Sequence, residues 1–176
     1  SDLVEGHVFD ALLSPAVKGH PYYFVHDFFH GFVAPAFLFA SGTAFGAATL
    51  KRWEEYAAWG APFRSRVGRF LGLLAIGYAL HLPFFSLRKS LQEASAEGLR
   101  AFLQSDVLQC LSVTLLLLQL GVLLLKNRRA WLTGVAASAA GAVFLAPLFW
   151  EARLAGRLPQ AIVPFLTPET GSWFPL

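Results

Sequence analysis

Apolar residues in this chain gather in long unbroken blocks and do not recur every three or four positions, so the helices they form are apolar on all sides. Four blocks approach the roughly 20 residues that a helix needs to cross a bilayer. They lie at about 31–50, 67–85, 107–125 and 131–150. The third reads VLQCLSVTLLLLQLGVLLL, and the fourth has Trp131 and Trp150 at its ends, where interfacial anchors belong. Polar linkers at 51–66, 86–106 and 126–130 separate the blocks, and a shorter apolar stretch at about 3–13 is half a span. The pattern predicts an all-α fold: a single polytopic transmembrane helix bundle over 1–176, made of hairpins of alternating orientation. The half-span, the absence of Met and the Trp173-Phe174-Pro175-Leu176 close read as a fragment of a larger bundle, inactive by itself.

Composition narrows the classes further. Hydrophobic residues make up 56% of the 176 and charged ones 14%, against about 25% charged in a soluble domain. An ordinary water-soluble fold is excluded, and the bilayer becomes the first partner. A single Cys rules out an internal disulfide. The net charge of +3 is too small and too scattered for nucleic acid. Its distribution is more informative. Lys51, Arg52, Arg64, Arg66 and Arg69 follow the first block, and Lys126, Arg128 and Arg129 follow the third. Alternation puts both groups on one side, which the excess of Lys and Arg makes cytoplasmic. Gly42 and Gly46, with Ala36, Ala40, Ala44 and Ala48, give the first span a small-residue face suited to close packing among its neighbours.

The candidate chemistry is mostly histidine. His7, His20, His26 and His30 cluster before and at the first span, and His81 closes the second, so the topology brings all five to the outer face. His7 and Asp10 are three apart and share a helix face, where a carboxylate can orient an imidazole. The same spacing also suits a plain polar pair at a helix end. His26-Asp27-Phe28-Phe29-His30 differs from the zinc-protease HExxH by Asp for Glu. No third ligand follows at family spacing, so no metal is expected. Arg64, Arg66 and Arg69 could clamp a phosphate-rich cofactor from the cytosol, although the positive-inside rule alone accounts for basic residues there.

Particular strings carry a family resemblance. The run His30-Gly31-Phe32-Val33-Ala34-Pro35-Ala36-Phe37-Leu38-Phe39-Ala40-Ser41-Gly42-Thr43 resembles a stretch of bacterial relatives of heparan-alpha-glucosaminide N-acetyltransferase. Gly6-His7-Val8-Phe9-Asp10 looks like the end of that family's first helix. Asp106-Val107-Leu108-Gln109-Cys110-Leu111-Ser112-Val113-Thr114 is similar to the opening of a later one. The three blocks occur in the family's order over most of the chain. The resemblance implies a membrane-embedded acyltransferase of the bacterial inner membrane. It would move an acyl group from cytosolic acetyl-CoA or another acyl-CoA to a sugar or other hydroxyl or amine acceptor, with histidine as base or acyl carrier. His7, His30 and Asp10 would be catalytic, and Arg64, Arg66 and Arg69 would hold the cofactor. His26, Asp27, His81 and Gln109 would meet the acceptor. A homo-oligomer is compatible with this reading. Two alternatives stand beside it: a metal-dependent membrane hydrolase using His26 and His30, and a non-enzymatic integral membrane subunit or transporter part.

Overall fold

The structure is a computed structural model and describes residues 21–82 and 102–151, with 89, 95, 98, 159 and 162–166. Among these residues there are six helices: α1 (Pro21–Lys51), α2 (Trp53–Tyr56), α3 (Ala61–Leu80), α4 (Val107–Leu125), α5 (Arg128–Glu151) and α6 (Val163–Leu166). No strand occurs among the described residues, and the fold is all-α. Three stretches are long and apolar enough to cross a membrane: Gly31–Lys51 of α1, all of α4, and Arg128–Leu148 of α5. The protein is an integral membrane protein on that ground. The chain divides into two compact units, Ser1–Gly46 and Ala47–Leu176, with the boundary inside α1.

Helix ends follow local chemistry. α1 is helical from Pro21 onward among the described residues, well before the apolar block. Residues 26–30 are therefore helical. α3 starts at Ala61, after the extended backbone of Gly60 (φ −132°, ψ −175°), and carries Pro62 in its first turn. It ends at Leu80, so the span expected at 67–85 is displaced toward the N-terminus. Its twenty residues include Arg64, Arg66 and Arg69, and it is not among the three stretches apolar enough to cross by composition alone. α4 matches its predicted range, set at the start by Asp106 and at the end by Lys126 in the left-handed region (φ 50°). α5 begins at Arg128, earlier than expected. Asn127 Oδ1 accepts from the Arg129 and Ala130 N–H groups at 2.9 and 3.1 Å, supplying the cap.

Burial is uneven. In the second unit α4 buries Ser112, Leu115, Gln119 and Val122, three and four apart, along one stripe. Trp53 and Trp131 pack edge to face at 5.8 Å, and the Trp131 indole N–H donates to the Leu118 carbonyl at 3.1 Å. Gly121 leaves room for that indole: a Cβ there would stand 3.4 Å from it. Of the described side chains of α1, only Phe45 and Thr49 are buried, while Phe28, Phe32 and Phe39 are exposed. Of the described side chains of α5 only Trp131 is buried, while Val143, Phe144 and Leu148 are exposed. Apolar surface of this extent is covered by lipid or by further helices.

Candidate functional site

α3 and α4 pack antiparallel: residues 66 and 77 of α3 face residues 119 and 109 of α4. A polar cluster closes each end of the pair, and the two lie about 15 Å apart along α4 at 1.5 Å per residue.

The first cluster is centred on Arg66. Its Nη1 donates to Thr49 Oγ1 at 2.8 Å and to Gln119 Oε1 at 3.2 Å, and its guanidinium lies 3.7 Å from the Tyr56 ring centre. The last turn of α1, the short α2 and α4 each supply one partner. Gln119 Nε2 donates to the Tyr56 carbonyl at 3.2 Å, satisfying an acceptor that the end of α2 would otherwise leave open. Both ends of the Gln119 amide are thereby used. The cluster is sealed: Arg66 is 6% exposed, and Thr49 and Gln119 are wholly buried. A desolvated guanidinium gains up to about 2 kcal/mol from an aromatic face and roughly 1.5–3 kcal/mol per hydrogen bond, so the arrangement offsets the cost of burial.

The second cluster is centred on His81, which caps the C-terminus of α3. Asp106 and Gln109 form a capping box at the start of α4. Asp106 Oδ1 accepts from the Val107 N–H at 2.7 Å, and Gln109 Oε1 accepts from the Asp106 N–H at 3.3 Å. Because a backbone N–H can only donate, that contact fixes the amide, and Gln109 Nε2 is the atom that faces His81 Nδ1 at 3.3 Å. Nδ1 therefore accepts, and the neutral ring carries its proton on Nε2, 3.8 Å from Asp106 Oδ2. Gly77 makes the approach possible, since a Cβ there would meet the Gln109 side chain at 3.1 Å and Leu108 Cβ at 3.2 Å.

Chemically, the second cluster is an imidazole whose basic nitrogen is held by one displaceable amide N–H. Its other nitrogen looks toward a carboxylate. The site opens outward, with the His81 side chain 25% and the Asp106 side chain 50% exposed.

The structure brings His81 and Gln109 together. It does not make one clamp of the three arginines: Arg66 turns inward, and Arg64 and Arg69 are exposed. His7 and Asp10 lie outside the described residues, as do the side chains of His26, Asp27 and His30, whose backbone is helical. The convergence of the five histidines lies outside the described residues too. Among the described residues no group of three His, Cys, Asp or Glu could hold a metal ion. Sequence reasoning passed over Asp106, Thr49, Tyr56 and Gln119. The signal for Asp106 was an Asp three residues before Gln at the head of an apolar run. For Gln119 it was an amide inside a leucine stretch, costly in lipid unless partnered.

The two basic linkers meet on one side of this unit. Arg128 Nη2 donates to the Leu50 carbonyl at 2.6 Å, closing the C-terminus of α1. No protein-family model matches the chain, and neither a curated protein nor a solved structure does.

Proposed function

We propose that the protein is a multi-pass acyltransferase of the bacterial inner membrane, using acetyl-CoA or another acyl-CoA as donor and a sugar or other hydroxyl or amine as acceptor. The observation that carries this reading is the His81–Gln109–Asp106 constellation, a half-open polar site suited to hold an acceptor hydroxyl or amine, at the end of the α3–α4 pair opposite the basic linkers. Acyl transfer needs a group that takes the acceptor proton as the new bond forms, and imidazole is the side chain suited to this near neutral pH. The acceptor O–H or N–H gives its proton to imidazole, the oxygen or nitrogen attacks the thioester carbon, and the C–S bond breaks. The thiolate of CoA then recovers the proton. His7 and His30, with Asp10 orienting His7, take the base or acyl-carrier role. His81, Gln109, His26 and Asp27 hold the acceptor. Arg64 and Arg69, both exposed on the cytosolic side of this topology, face the donor phosphates while Arg66 fixes their helix.

The test is CoA release by the complete protein in vesicles, measured against a panel of sugar and amine acceptors. Acceptor-dependent release is expected, lost in His7→Ala and in His30→Ala but largely kept in His26→Ala. Release no faster than spontaneous thioester hydrolysis with every acceptor would end the proposal. Equal loss in His26→Ala and His30→Ala, with bound zinc stripped by both, would favour the metal-dependent hydrolase instead.

A further inference from the structure

Where α4 ends and α5 begins, beside α2, lies an open cleft of about 560 Å³ lined by Trp53, Glu54, Lys126, Asn127, Arg128 and Arg129. Three cations face one carboxylate. They are brought together by the tight reversal at Lys126–Asn127, where Lys126 takes φ 50° and Asn127 caps the next helix. Arg128 is already positioned by its bond to the Leu50 carbonyl, and Lys126 and Arg129 are exposed. Positive-inside topology needs cations in a linker but does not need them around one concavity with an indole wall. The cleft sits at the ends of two helices of bilayer length, beside the Trp53–Trp131 pair, and Trp is the residue of the headgroup layer. Exposed Leu132 and the uncovered face of α5 continue from it as a surface for acyl chains. Basic pockets between membrane helices on the cytoplasmic side suit lipid phosphate.

We infer that this cleft binds the phosphate group of an anionic phospholipid. The inference is independent of acyl transfer.

The test uses the protein in vesicles and compares tryptophan quenching by brominated phosphatidylglycerol and brominated phosphatidylcholine, giving a relative binding constant. The wild type should prefer phosphatidylglycerol by roughly 25-fold. Each basic residue near a membrane surface contributes about five-fold, so Lys126→Gln with Arg129→Gln should bring the constant close to one. Glu54→Gln should raise it by up to about five-fold, a gain that misfolding cannot produce. Direct binding of inorganic phosphate, measured in pure phosphatidylcholine vesicles, separates the sources. Phosphate binding lost in the double variant, without any lipid preference, would assign the cleft to a soluble phosphate ester and overturn the lipid. A constant that is the same in the wild type, the double variant and Glu54→Gln overturns the proposal.

Discussion

Two glutamines of one helix, Gln109 and Gln119, each meet an ionisable side chain of α3, and both amides are wholly buried. Their partners differ in access to solvent. Arg66 is enclosed by Thr49, Tyr56 and Gln119, whereas His81 and Asp106 are open on one side. The sealed cluster draws its members from four helices and so ties the last turn of α1 to α2, α3 and α4. The open one draws on the facing ends of α3 and α4 alone and keeps a nitrogen lone pair that an incoming hydroxyl could take over from Gln109. Similar polar chemistry thus serves cohesion where water is excluded and reactivity where water, or a substrate, can enter.

The largest expected effect lies in the sealed cluster. Arg66→Met should destabilise the protein by about 3–5 kcal/mol in mixed-micelle unfolding, because two buried acceptors lose their donor and a void opens. Arg66→Lys should recover only part of this, since an ammonium cannot both stack on Tyr56 and fork between two acceptors. Arg64→Gln should stay within about 0.5 kcal/mol. Equal losses at 64 and 66 would erase the distinction between caged and free arginines.

At the open end Gly77→Ala should cost about 1–3 kcal/mol, by pushing Gln109 and Leu108 away. Gly72→Ala, with nothing within 4 Å of its Cβ position, should instead stabilise by about 0.5–1 kcal/mol through helix propensity. Opposite signs at two glycines of one helix would sharpen the comparison, and equal signs would break it. Next in size, Asp106→Ala should cost about 1 kcal/mol and Asp106→Asn only a few tenths, because Asn still caps α4. The KM for the acceptor, by contrast, should rise in both variants, since His81 Nε2 then faces no carboxylate beside the acceptor it holds.

The smallest effect is at the surface. The hydrogen bond from Arg52 holds the Glu55 carboxyl below the usual carboxylate range. The folded protein binds this proton more weakly than the unfolded chain does. The pair's contribution is therefore complete above the unfolded carboxylate value of about 4.3 and fades as pH falls through the lower folded one. A small stability difference between wild type and Glu55→Gln should vanish in acid, and in high salt at any pH. A difference that persists in acid would mean that Glu55 acts by other than its charge.

How much of this was legible in the sequence depended on whether a residue's neighbours in sequence were also its neighbours in space. The limits of α4 could be read directly, since Asp106 and the leucine run are both local signals. α3 was displaced because its arginines read as linker, although Gly60 and Pro62 mark a helix start. His81 and Gln109 were both marked as acceptor-side residues, but only the antiparallel packing of α3 and α4 shows that they touch. The inward turn of Arg66 could not be read at all. Its partners Thr49, Tyr56 and Gln119 come from three other helices, and a basic residue beside a membrane block satisfies topology equally well pointing out.

The central proposal is that the sealed cluster lies toward the cytoplasmic end of the α3–α4 pair and the open cluster toward its other end. The most direct measurement is labelling with an impermeant maleimide in a Cys110→Ala background, using single cysteines at the exposed positions Arg64, Ser95 and Arg129. The account predicts that Arg64→Cys and Arg129→Cys react from the cytoplasmic side alone and Ser95→Cys from the opposite side alone. Reaction of all three from one side would contradict it.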